Sequence, residues 1–195
     1  LRVDGLSYVD DAGVERVKSV SFEVRAGEVV GIAGVSGNGQ SELLSLLGGI
    51  LKPSKGSFTI AGAQSHEVSL SHPADPERVR NFGLGHIPED RHKMGLINRF
   101  EAKEAFILGY HRRPQYNKGW LQDKEAIRQD CQAKMEKWDV RPPSPEHKTA
   151  NFSGGNQQKV VIGKCLATAP KVIILDEPTK GIDIGSKAAV HGFMA

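Results

Sequence analysis

Cysteine is nearly absent: Cys131 and Cys165 are the only two among 195 residues, and they form no CxxC pair. Neither a zinc site nor a disulfide framework is expected from so few thiols. Two buried, reduced thiols in a cytoplasmic protein are the plain reading. Long apolar runs are missing too. Stretches such as "VVGIA" and "VIIL" are far shorter than the roughly 20 residues that span a bilayer, and no signal-peptide pattern opens the chain. There is little charge excess: 26 basic and 23 acidic residues, mixed along the sequence, leave a net +3. That balance does not mark a nucleic-acid-binding protein. No internal repeat, low-complexity tract or GxGxxG dinucleotide pattern occurs.

What is present suits one ordinary domain, with or without a small subdomain: 38% apolar and 25% charged residues, and enough length to bury a core. The chain has no initiator Met, Leu1 enters a strand-like pattern directly, and Ala195 stops inside a helical one. A fragment of a longer polypeptide is therefore expected.

Along the chain, Val20, Phe22 and Val24 alternate with Ser19, Ser21 and Glu23, the pattern of a half-exposed antiparallel strand. Val29–Ala33 is continuously apolar, which predicts a strand buried on both faces. Glycines follow, and then "QSELLSLLGG" places Leu43, Leu44 and Leu47 at helical spacing. "KGSFTIAG" predicts a further short strand carrying Phe58 and Ile60. From about Asn98 to Thr149 the texture turns helical and charged, with Ile127, Cys131, Met135 and Trp138 on one face before "RPPSPEH" ends the helix. This predicts a helical subdomain, 98–149, inserted into an α/β core made of 1–97 and 150–195. "NQQKVVIGKCLATAP" reads as a helix stopped by Pro170, and "KVIIL" as a second fully buried strand.

Three motifs carry chemistry. Gly34, Gly39 and Ser41 match the spacing of a phosphate-binding P-loop between a strand and a helix. In such a loop, backbone N–H groups and a helix N-terminus hold phosphate, and the hydroxyl serves Mg²⁺. Gln40 stands where the lysine belongs, so this segment alone suits an unliganded glycine turn equally well. "KVIILDEPTKGID" sets Asp176 and Glu177 at the carboxyl end of a strand, where α/β sheets bind ligands. One carboxylate can serve a metal and the other can accept a proton from water. "FSGGNQQKV" places Ser153, Gly154 and Gly155 at a second helix start, about twenty residues before the Asp-Glu strand. Elsewhere a simple serine N-cap would explain it.

In this order the motifs resemble the ATP-binding subunit of ABC transporters over essentially the whole chain. "FSGGNQQKV" looks like the signature motif of ribose, xylose and galactose importers, and "LDEPTKGID" like their Walker B strand and D-loop. "HIPEDRHKMGL" is similar to the stretch replacing the Q-loop in the second, C-terminal ATPase half of those importers. Gln40 agrees, because such second halves often lack the P-loop lysine.

The resemblance implies an α/β P-loop ABC ATPase core with an antiparallel β-subdomain and an inserted α-helical subdomain. It implies that Gly34, Val35, Ser36, Gly37, Asn38, Gly39, Gln40 and Ser41 hold ATP. Ser41 and Asp176 would serve Mg²⁺, and Glu177 would be the general base. Glu89 would occupy the Q-loop position near the metal and report to the membrane subunit. Tyr8 would stack on adenine, a role no better supported than local strand packing. Ser153, Gly154, Gly155 and Asn156 would contact ATP held by a second ABC domain facing head to tail, with Asp183 of the D-loop along the seam. Membrane permease subunits, and through them a sugar-binding protein, would be the further partners, and the cytoplasmic face of the membrane the location.

The sequence departs from the pattern twice. Replacing the lysine removes one charged hydrogen bond, worth about 1.5–3 kcal/mol, or roughly 10- to 150-fold. The switch histidine expected beyond the Walker B strand is missing, since His191 comes too early and reads as a helix-surface residue. An isolated fragment should therefore hydrolyse ATP poorly. Two other readings stay open: a regulatory half that binds ATP and hydrolyses little, and a soluble ABC protein acting on ribosomes or DNA. The basic linkers and long coiled coils usual in the latter class are missing.

Overall fold

The computed structural model describes residues 1–35, 37–61 and 65–194. It divides into two compact units, Leu1–Gly85 with Pro170–Val172, and His86–Ala169 with Ile173–Ala195.

The first unit holds β1 (Arg2–Val9), β2 (Glu15–Glu23), α1 (Gln40–Leu47), β3 (Lys55–Ile60), β4 (His66–Ser69) and α2 (Pro76–Phe82). The strands form one antiparallel sheet in the order β2-β1-β3-β4. Val3, Leu6, Val17, Phe58, Ile60 and Val68 point inward; Phe58 and Ile60 follow the period of two, whereas a register shift between Val3 and Leu6 breaks it on β1 and lets both be buried. The expected half-exposed strand is β2: Val20 and Phe22 are half-buried, whereas Ser19, Ser21 and Glu23 face water. On α1, Leu43 and Leu47 are buried as their spacing requires, but Leu46 is buried with them and Leu44, at the edge of the apolar face, is only half-buried. α2 begins at Pro76, and the Asp75 carboxylate caps it by accepting from the Arg78 amide (2.8 Å).

One expectation fails here. Val29–Ala33 forms no strand and is not buried; Val29 is 94% and Ile32 50% exposed. The physical reason is that a strand needs a hydrogen-bonded neighbour. Among the described residues none pairs with this run, so its backbone is left to solvent and stays irregular.

The chain continues through β5 (Leu84–Ile87), α3 (Ala102–Ile107), a hairpin of β6 (Asn117–Lys118) and β7 (Leu121–Gln122), α4 (Lys124–Lys137), α5 (Gly154–Leu166), β8 (Val172–Leu175) and α6 (Ile184–Met194). β5 and β8 lie side by side. The Lys171 and Val172 amides donate to the Gly83 carbonyl and the Asp176 amide to the Ile87 carbonyl, so the two strands run in the same direction. β8 therefore forms as "KVIIL" predicts, but it is not fully buried. Ile174 is covered, whereas Ile173 and Leu175 are 39% and 43% exposed, because alternate side chains point to opposite faces and only the face of Ile174 is packed over.

In the second unit the α4 stripe does pack inward. Cys131, Met135 and Trp138 join Phe106, Val160, Val161, Ile162 and Cys165 in one core, and Ile127 packs with Ile107 and Tyr116. Asp123 caps α4, accepting from the Ala126 amide.

Burial pushes the Cys131 thiol up to about 12 and the Cys165 thiol to about 11, from an ordinary 9.0. Both thiols ionise at higher pH folded than unfolded. Their contribution to stability is thus complete below pH 9.0 and is lost as pH climbs through 11 to 12. Native protein at pH 8 should leave both thiols unreactive to a disulfide reagent, and both should react after unfolding in urea. Fast labelling of the folded chain would contradict this.

Candidate functional site

The glycine loop belongs to the first unit. The Asn38 amide donates to the Val35 carbonyl (3.2 Å), while Gly37 and Gly39 take φ of +89° and +91°. Gly39 precedes α1, and a Cβ on it would lie 2.3 Å from the Arg16 carbonyl oxygen, so only glycine fits. A Cβ on Gly34 would lie 1.8 Å from Nε2 of Gln40. The Gln40 amide thus passes directly over the loop's first glycine. Ser36 lies outside the described residues, as does the side chain of His191.

Tyr8 and Ser41, far apart in sequence, line one cavity of about 440 Å³ with Arg16 and Glu42. A second cavity, of about 850 Å³, follows the loop backbone from Gly34 to Gln40 and is also lined by Arg16. The Arg16 guanidinium is held by Asp10 (Nε to Oδ2, 2.7 Å). Sequence reasoning missed Arg16. Its signal was a cation on a half-exposed strand, which is weak because exposed cations are common at such positions.

The carboxylates belong to the second unit. The Asp176 amide is bonded to Ile87 at 3.0 Å, so the chain leaves β8 and β5 at the same end and brings Asp176, Glu177 and Glu89 together. Burial pushes the Asp176 carboxyl up; the backbone amide of Glu89 opposes this, and the carboxylates of Glu89 and Glu177 add to it. Burial also pushes the neighbouring His86 imidazole down, against the pull of Asp176. Glu177 holds a left-handed φ of +42°, a strained conformation for a residue with a side chain. Lys180 bridges the group, with its ammonium paired to Glu89 and, at 3.3 Å, to Glu177. A hard divalent cation fits oxygen donors of this kind. No cluster of three His, Cys, Asp or Glu ligands forms among the described residues.

Ser153 caps α5. Its hydroxyl accepts from the Asn156 amide (3.3 Å) and from the Asn156 side chain (3.0 Å), and Asn156 in turn accepts from the Arg141 amide (2.9 Å). Gly154 and Gly155 form the first turn. Asp183 sits just before α6, and its carbonyl accepts the Lys187 amide (3.0 Å).

The family model described as ABC transporter matches residues 17–180. The chain belongs to the ABC transporter family. This ABC chain is 38% identical over 192 residues to the guanosine import ATP-binding protein NupO of Bacillus subtilis, covering 98% of itself and 36% of that protein. It is 44% identical over 178 residues to the ribose import ATP-binding protein RbsA 3 of Rhizobium etli, covering 91% of itself and 33% of that protein. The chain thus spans about a third of the length of these relatives. Its fold matches a dimeric bacterial ABC transporter cassette with a TM-score of 0.73 at 22% identity, covering 99% of this chain and 80% of the other. It also matches a cassette in its ADP conformation with a TM-score of 0.72 at 21% identity, covering 98% and 74%. The α/β P-loop cassette with its antiparallel sheet is therefore the fold of this ABC chain.

The two loop glycines should respond differently to a methyl group. Gly39→Ala meets fixed backbone and should cost about 1–3 kcal/mol in urea unfolding. Gly34→Ala should cost clearly less, because the Gln40 side chain can swing away. Equal losses would show that Gln40 is locked in place.

Proposed function

We propose that this chain is an ATP-hydrolysing, energy-coupling half of an importer for ribose-type sugars or nucleosides. The observation that carries the reading is the group of carboxylates at the paired ends of β5 and β8, in a chain whose family match spans 17–180. The relatives named for ribose and guanosine import support the cargo class; both cargoes contain a ribose unit.

In this reading the backbone of Gly34–Ser41 holds the phosphates and Tyr8 takes the adenine, and the Ser41 hydroxyl and the Asp176 carboxylate would each be an oxygen donor for Mg²⁺. Bound magnesium would neutralise phosphate charge. Glu177 accepts the proton of the attacking water, and Lys180 keeps its carboxylate paired until then. Glu89 senses the membrane subunit. Ser153–Asn156 and Asp183 complete the site of a second ABC domain facing head to tail, and the helical stretch 98–149 forms the subdomain that carries the signature helix's neighbours. Among the described residues no helix is long and apolar enough to cross a membrane, so separate permease subunits would form the passage, with this half on their cytoplasmic face.

Gln40 favours a second reading, a regulatory half that binds ATP and hydrolyses little, since its neutral amide lies across Gly34 in place of a phosphate-binding cation. Two variants of the complete subunit, assembled with its membrane partners in proteoliposomes, separate the readings. Glu177→Gln should lower hydrolysis at this half about 100-fold or more; an unchanged rate would establish the regulatory half. Gln40→Lys should tighten ATP binding about tenfold through one charged hydrogen bond. Unchanged affinity would mean that phosphate does not rest on this loop.

A further inference from the structure

Arg91 opens a π-type turn, Arg91–Gly95, closed by the Leu96 amide donating to the Arg91 carbonyl (2.7 Å). Asp90 caps it by accepting the His92 and Lys93 amides. Both ends of the turn are fastened to α5. Arg91 Nε donates to Gln157 Oε1 (3.2 Å), and Lys164 Nζ donates to the Gly95 carbonyl (2.7 Å). Gln157 and Lys164 lie two helical turns apart, hence on one face of α5. Gln157 is itself buried and fixed, its amide donating to the Thr149 carbonyl (3.0 Å).

The other edge of the guanidinium faces the loop after the Asp-Glu pair. Nη1 donates to the Lys180 carbonyl (3.2 Å) and Nη2 to that of Gly181 (3.3 Å). A Cβ on Gly154 would stand 3.0 Å from Arg91 Nη2 and 3.2 Å from the Gly181 oxygen. The start of α5, the guanidinium and the 180–181 carbonyls therefore meet at one point. A single planar fork joins acceptors 66, 89 and 90 residues away in sequence. Lysine, with one nitrogen on a flexible stem, cannot reproduce that geometry. On the outer side of the turn, His92, Lys93 and Met94 are exposed.

We propose that Arg91 is a positioning residue that makes the turn, the start of α5 and the 180–183 loop move as one piece. A membrane subunit pressing on the exposed side of the turn would then displace both segments that face the partner domain's ATP. The inference rests on reading this chain as an importer ATPase half. Arg91 touches no reacting atom, so its effect should fall on the coupled step and leave nucleotide binding to this half alone.

The test uses the complete ATP-binding subunit with its membrane subunits in proteoliposomes. Arg91→Lys should lower transport-stimulated kcat about tenfold, while KM for ATP stays within about twofold. Gln157→Ala should lower kcat in the same direction, and the double variant should be no worse than the single ones, because both remove one linkage. Proportional changes in kcat and KM, or additive losses in the double variant, would overturn the proposal. So would a loss of folding in both Arg91→Lys and Arg91→Gln, which would assign the residue to stability. The outcomes stay separable from the ATPase reading: a silent Glu177→Gln removes hydrolysis from this half, whereas the Arg91 variants report on stimulated transport through either half.

Discussion

The hydrogen bond from the Asp176 amide to the Ile87 carbonyl sets what the second unit can do. It locks the end of β8 to the end of β5, so two loops leave the ladder at one level and three carboxylates share a small volume. Side chains alternate along a strand, and a slip of one residue would send Asp176 to the opposite face. The charge cluster, the strained Glu177 and the reach of Lys180 all follow from that register.

Gathering like charges is unfavourable, and the structure offsets it cheaply. The Lys180 pairs with Glu89 and Glu177 are more than a third exposed on every partner, where solvent screening leaves such pairs little net stabilisation. A partner held this weakly keeps the carboxylates in place and can be exchanged with little loss. Glu177 also combines a left-handed backbone with an exposed side chain, so packing does not hold its carboxylate in one direction. In the proposed function, both features would let Glu177 turn toward water.

The fold was legible wherever the determining interactions are local. The leucines of α1, the stripe of α4 and the Ser153 start of α5 follow from helical period and capping chemistry, which a window of a dozen residues contains. Val29–Ala33 misled because apolar composition says that a run prefers burial, not that a neighbouring strand is available to cover it. Val172–Leu175 misled in milder form for the same reason. The site was legible as motifs, so Asp176, Glu177 and Glu89 were named from sequence and meet in the structure. Arg16 and Lys180 were not, nor were the bonds that Arg91 makes, because their meaning lies in carbonyls and carboxylates up to 91 residues away. A cation in a charged loop looks solvated until its acceptors are known.

The signature segment shows why a motif and a helix cap are not competing explanations. Ser153 accepts two hydrogen bonds from Asn156, and Gly154 is confined by the Arg91 guanidinium, so each residue has a complete structural account with no nucleotide present. The same cap leaves the first amides of α5 directed away from the helix body, the arrangement that favours an anion. A phosphate arriving there would compete with contacts of about 1 kcal/mol each. The free segment is therefore ordered in advance but gains little from any single anion. In the proposed function, affinity would come from a second surface that presents the phosphates and excludes water at the same time, and nucleotide capture at this face would belong to an assembled pair.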